Sequence, residues 1–204
     1  MKFDVAEWAG KLEVVNVFAQ GNKSGVVTEQ IRYDSSLGVA PRPEPLVYWI
    51  RHVTVGTDSL AWLARTSPQK ICIPYLIPRA GARVFKMIPD GTRCHHIGDA
   101  EWHGKNEGWL APRCSGFEIE NLGTWAQEIT DEQYIKAGLI YAYDSALYSL
   151  QDYNVLDHSN IAVPHGRRSD PQAGLFRESL FWGVVKRVRD EWPWPIAAWN
   201  GGRA

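Results

Sequence analysis

The chain has 204 residues, 45% of them hydrophobic, and its 22 Lys and Arg against 23 Asp and Glu leave a formal net charge of -1. That length buries one substantial core and is short for two full domains. So even a charge balance carries no general footprint for nucleic acid or anionic lipid, and the odd, unclustered cysteines Cys72, Cys94 and Cys114 fit buried residues in a reducing compartment better than a disulfide scaffold.

Met1-Lys2-Phe3-Asp4-Val5-Ala6-Glu7 scatters charge where a secretory signal needs an unbroken apolar core, and no apolar run reaches the length of a bilayer span. The expectation is therefore synthesis in the cytoplasm without a signal peptide, and no membrane insertion. Leu12 to Phe18 reads as a strand inside an N-terminal extension, residues 1–41, packed on the domain that follows. Pro41-Arg42-Pro43-Glu44-Pro45 is a stiff, extended junction. Leu46-Val47-Tyr48-Trp49-Ile50 then predicts a buried strand that delivers His52 at its mouth. A lone histidine beside such a strand is more often a hydrogen-bonded core or surface residue than a ligand, and both readings stand for His52.

Asp58 caps a short helix running to Arg65. Ile71 to Ile77 and Val84 to Ile88 flank the turn Arg79-Ala80-Gly81-Ala82-Arg83 as strand, turn and strand. His95, His96 and His103 make a poor second metal cluster, because adjacent histidines on an extended strand point apart. In the glycine-containing segment from Glu101 to Trp109, Trp102 and Trp109 either stack on a sugar or peptide or simply pack a loop. Phe117-Glu118-Ile119-Glu120 alternates so that Phe117 and Ile119 enter a core while both carboxylates face the other way. Thr130-Asp131-Glu132-Gln133 is a capping box that opens a long amphipathic helix, and a last helix covers Leu175 to Arg189 until Trp192-Pro193-Trp194-Pro195 stops it. Strands and helices in this mixture predict an α/β fold with a mixed central β-sheet and helices packed on its faces.

The most informative stretch runs from Asp157 to Pro171. Pro164, Gly166 and Pro171 make a continuous helix or central strand improbable there, so turns, packing or a bound ion must fix its course. It places His158 and Asp170 on one loop, and imidazole nitrogen with carboxylate oxygen suits Zn²⁺. A catalytic zinc takes three protein ligands, for which His52 is the best partner and His165 a rival on the same loop.

A strand-borne histidine, a mid-chain glutamate strand, His158-Ser159-Asn160-Ile161-Ala162 and then Gly166-Arg167-Arg168-Ser169-Asp170-Pro171 follow one another in an order that resembles the zinc-dependent N-acetylmuramoyl-L-alanine amidases of type 2. That group includes phage amidase-type lysozymes, bacterial wall-recycling amidases and animal peptidoglycan-recognition proteins. Tyr75-Leu76-Ile77, Val84 to Gly91, His95-His96-Ile97-Gly98 and Gly116 to Asn121 extend the likeness from about Leu46 to Phe176. The resemblance implies a Zn²⁺ domain over residues 42–204, with metal ligands His52, His158 and Asp170, Glu118 as the catalytic base, and His96 near the substrate, where Trp102 is the aromatic candidate from the residues themselves. Arg168 stands where lysine is usual, and either stabilises the oxyanion or anchors the loop to a carboxylate. Inserted residues around Val163 and His165, Gln172 after Pro171, and Ile73-Pro74 ahead of Tyr75 depart from the family pattern.

The implied function is hydrolysis of the amide between N-acetylmuramic acid and L-alanine in peptidoglycan or a muropeptide, by a monomeric phage-type lysis enzyme acting on the cell wall. A non-catalytic peptidoglycan-binding module of the same fold and a cytosolic wall-recycling amidase are the alternatives.

Overall fold

A computed structural model describes residues 1–16, 40–41, 45–56, 59–64, 73–88, 91–93, 96–124 and 126–192. Asp4 caps helix α1 (Val5–Lys11) by accepting from the Glu7 amide at 2.7 Å, and Val5, Trp8 and Ala9 turn inward. Strand β1 (Glu13–Asn16) follows at once and pairs in parallel with β5 (Arg83–Lys86). The N-terminal segment thus supplies an edge strand of the main sheet, and the expected boundary at residue 41 cuts across that sheet. Ala40–Pro41 (β2) pairs with Thr92–Arg93 (β6) as a small separate ladder.

The six-stranded sheet is completed by β3 (Tyr48–Val53), β4 (Tyr75–Ile77), β9 (Cys114–Ile119) and β10 (Val155–Asp157), in the order β1-β5-β4-β9-β3-β10. β4, β9, β3 and β10 run parallel and β5 is antiparallel to β4, so the sheet is mixed. β3 is buried along its whole length, as a central parallel strand covered on both faces should be. Gly116 marks the closest approach in the sheet: a Cβ there would lie 2.0 Å from the Ile50 carbonyl oxygen.

One face carries Trp49, Val53, Phe117 and Ile119 against helices α3 (Asp131–Tyr148) and α5 (Glu178–Glu191). Trp49 meets Tyr141 at 5.5 Å between centroids and Phe117 at 6.1 Å, both edge-on, which suits the quadrupoles of the rings. The other face carries Tyr48, Ile50, Cys114 and Leu156 against Ile97, Ala100, Leu110 and Ile161. Here sits the hairpin of β7 (Asp99–Trp102) and β8 (Lys105–Trp109), while α2 (Ser59–Ala64) adds Leu63 to a third cluster with Ile73, Leu76 and Met87.

Several expectations need adjustment. His52 lies inside β3 and not at its mouth, because the strand continues to Val53. The long helix starts at its capping box as expected, yet residues 133–142 are buried all round, so α3 is a central helix and not an amphipathic one. Gly138 lets α5 approach it: a Cβ would meet Val184 Cγ1 at 2.3 Å. The Asp157–Pro171 stretch is less loop-like than its prolines suggest, since β10 enters it and the one-turn helix α4 (His158–Ile161) follows. Trp102 and Trp109 lie on hairpin strands, whereas Cys72, Cys94, His95 and the helix cap Asp58 fall outside the described residues.

Candidate active site

Strand register assembles the site. In the parallel pairing of β3 with β9, His52 lies beside Glu118, both on the face away from α3 and α5. β10 runs along the other side of β3 with Asp157 opposite Arg51, so the next residue on each chain segment is a histidine, His52 or His158. Their rings come within 4.5 Å. Ser159 draws the loop back: its amide donates to the Asp170 carbonyl and its hydroxyl to the Pro171 carbonyl, both at 2.9 Å. Asp170 Oδ2 thereby reaches 3.1 Å from His52 Nδ1 and 3.1 Å from His158 Nδ1.

One ligand atom from each of His52, His158 and Asp170 lies within 4.8 Å of the other two. Ligands about 2.0–2.2 Å from a tetrahedral zinc stand roughly 3.3 Å apart, so the 3.1 Å separations match the edge of such a site. Protonation agrees. Burial first, then His158, lowers the His52 pKa to about 4, which keeps its imidazole neutral at physiological pH. Burial would raise the Asp170 pKa, but hydrogen bonds from the two histidines hold its carboxyl well below the ordinary range. A neutral His52 imidazole, the His158 imidazole and an ionised Asp170 carboxylate make a donor set that fits a divalent zinc ion.

Glu118 supplies a carboxyl beside the three candidate ligands, opposite His52 in the strand register. Burial and then the Asp170 charge push its carboxyl well above the usual value, against the pull of Arg168, and its buried Oε2 has no hydrogen-bond partner among the described residues. Glu120 is different, as its oxygens accept from the amides of Ser59 and Arg79, each at 3.2 Å, and serve to cap α2 and a turn. Arg168 is exposed, with no hydrogen bond or ion pair among the described residues. His165 points elsewhere, with Nε2 3.7 Å from Glu101. The inserted residues are fastened to the hairpin: the Val163 amide donates to the Asp99 carbonyl at 3.0 Å, Arg167 Nη2 donates to the same oxygen at 3.3 Å, and Ala162 bridges Ala100.

His96 is buried against the site. Its Nδ1 lies 3.0 Å from His52 Nε2 and its Nε2 3.3 Å from Cys114 Sγ, so protein atoms occupy both ring nitrogens. Trp102 is half-buried beside His103, with ring centroids 4.4 Å apart, and packs against the cluster under the hairpin. Sequence reasoning missed Arg51. Its Nε donates to Asp157 Oδ1 at 2.7 Å, its Nη2 donates to Glu178, and its guanidinium lies 4.3 Å from the Phe176 centroid. The available signal was a charged residue inside an otherwise apolar strand, since a buried arginine demands a partner.

A family model described as N-acetylmuramoyl-L-alanine amidase matches residues 42–173. The chain belongs to the N-acetylmuramoyl-L-alanine amidase family. No curated protein sequence matches it. Among solved structures, the crystal structure of a selenomethionine AmpD derivative is 20% identical with a TM-score of 0.58, over 91% of this chain and 99% of that one. AmpDh3 from Pseudomonas aeruginosa, in complex with anhydromuramic pentapeptide, is 21% identical with a TM-score of 0.58, over 76% of this chain and 72% of its own. These two show that the amidase has the AmpD fold, a mixed sheet with helices on its faces. AmiD from E. coli, in complex with the substrate anhydro-N-acetylmuramic acid-L-Ala-D-gamma-Glu-L-Lys, is 25% identical with a TM-score of 0.53, over 70% of this chain and 56% of that one. Among the described residues of the amidase, no helix is long and apolar enough to cross a membrane.

Proposed function

We propose that this amidase cleaves the amide between N-acetylmuramic acid and L-alanine with one zinc ion held by His52, His158 and Asp170. The observation that carries the reading is the convergence of those three ligand atoms within 4.8 Å, beside a half-buried glutamate whose Oε2 is shielded from solvent. A bound zinc supplies Lewis-acid polarisation and a water pKa lowered towards about 7. Glu118 takes the proton from the attacking water and returns it to the leaving amide nitrogen. A carboxyl raised well above its usual value by burial suits both halves of that task, and such a base contributes roughly 10²–10⁴ in rate. Arg168, exposed at the rim, stabilises the negative charge that develops on the carbonyl oxygen. Trp102 offers an aromatic edge for the sugar or stem peptide.

Anhydromuramic peptides, present in the AmiD and AmpDh3 complexes, are the soluble form of this substrate class, and intact wall is the polymeric form. Digestion of purified peptidoglycan by zinc-loaded protein should release stem peptides with a free L-alanine amino terminus and leave glycan strands uncut. New reducing sugar ends would refute the amidase reading, because the site offers one acid–base carboxylate where most glycosidases use two. Binding with neither product would identify a recognition module. As a lysis enzyme the protein should favour intact wall over anhydro-muropeptides, and as a recycling enzyme the reverse. Glu118→Gln should retain zinc and fold and lose turnover about 10²-fold or more; wild-type activity in that variant would remove Glu118 from the mechanism.

A further inference from the structure

A buried polar line lies directly behind one of the three candidate ligands. His52 presents Nδ1 to Asp170 Oδ2 at 3.1 Å, and its other nitrogen, Nε2, faces His96 Nδ1 at 3.0 Å. The two rings stand 5.1 Å apart at 63°. His96 then presents its own Nε2 to Cys114 Sγ at 3.3 Å. His52, His96 and Cys114 are all buried, at 2%, 7% and 1% exposure, which leaves solvent no place in the line. Cys114 opens β9, the strand that carries Glu118, and belongs with Ile97 to the apolar cluster beneath the hairpin, so the line runs back into the core.

We propose that His96 is the positioning residue for the metal ligand His52, and that Cys114 closes a one-directional hydrogen-bond relay behind it. The inference rests on the zinc reading of the site. A ring that lends Nδ1 to a cation carries its proton on Nε2, so His52 must donate to His96. His96 must accept through Nδ1, which places its own proton on Nε2, and that proton points at Cys114 sulfur as acceptor. Each imidazole has one tautomer compatible with the line, and the second ring selects the tautomer and the angle of the first. Cys114 is thereby an acceptor at the far end of the metal site, a task distinct from both disulfide formation and ligation.

Zinc affinity, read by competition with a chromophoric chelator, and histidine tautomers, read by ¹⁵N NMR of the zinc-loaded protein, test the relay. His96→Leu should weaken zinc binding about 10–100-fold. His96→Asn, whose side-chain oxygen can accept from His52 Nε2–H, should recover most of that loss. Cys114→Ala should give a smaller loss and mix the tautomers of His96. The wild-type spectrum needs no variant to fold, and should show His52 and His96 both protonated on Nε2. A His96 ring protonated on Nδ1, or zinc affinity within about twofold of wild type in His96→Leu, would overturn the relay while leaving the three-ligand site intact. Failure of the wild-type protein itself to bind zinc would overturn both.

Discussion

Replacing Arg51 by methionine keeps an aliphatic stem in the strand and removes the guanidinium. Two carboxylates lose their partner, and they are not equivalent. Glu178 is half-exposed, at 51%, and water can solvate it, so its share is small. The Asp157 side chain is only 17% exposed, and burial already raises its pKa although Arg51 stands 2.7 Å away. Breaking a buried pair from one side costs about 3–5 kcal/mol, because the remaining charge is left uncompensated. The expected loss for Arg51→Met is therefore about 3 kcal/mol at pH 8. It should shrink towards pH 5. Without Arg51 the folded-state pKa of Asp157 rises further above its unfolded value, so the folded state holds the extra proton and stability falls as pH climbs from the unfolded towards the folded value. Urea unfolding of wild type, Arg51→Met, Asp157→Asn and the double variant at both pH values gives the coupling energy directly. Additivity of the two single changes within about 0.5 kcal/mol at both pH values would refute the argument.

Gly116→Ala should cost about 4 kcal/mol or more, because the new methyl would sit 2.0 Å from the Ile50 carbonyl in a strand that cannot move aside; a melting curve like that of wild type would contradict it. Gly138→Ala presses on a side chain instead, Val184 at 2.3 Å, and should cost about 1–3 kcal/mol by the same assay. Lys136 is buried and donates to the carbonyls of Pro78 and Gly81, and burial lowers its pKa from 10.5 to about 8. The folded state therefore sheds this proton first, and stability should rise by about 3 kcal/mol between pH 8 and 10.5. That slope should be absent in Lys136→Met, and equal slopes in the two proteins would show that Lys136 titrates normally.

The parts of the molecule legible in the sequence were those fixed by local chemistry. Thr130 and Gln133 announced the start of α3 because a capping box is satisfied within four residues, and the alternation around Glu118 was visible because side chains on a strand change face at every step. The convergence of His52, His158 and Asp170 needs β3 beside β10 and a loop folded back by Ser159, contacts spanning up to 118 positions in the chain. Only the likeness in motif order brought those three together in advance. The strand β10 went unassigned, being three residues long and flanked by polar ones. The family likeness placed His96 near the substrate, whereas its contacts with His52 and with Cys114, eighteen residues along, form only through the fold. The buried character of α3 depends on α5 covering what would otherwise be an outer face, which no periodicity within α3 contains.

Twelve positions separate His158 from Asp170, and midway between them Val163 and Arg167 are fastened to the Asp99 carbonyl and His165 faces Glu101. That fastening divides a long excursion into two short spans, each with less freedom to lose than one uninterrupted loop. It also makes the hairpin and the segment bearing Arg168 and Asp170 a single lever. Because the two segments share that joint, hydrogen exchange in residues 99–109 and 163–167 should slow or quicken together when either is perturbed.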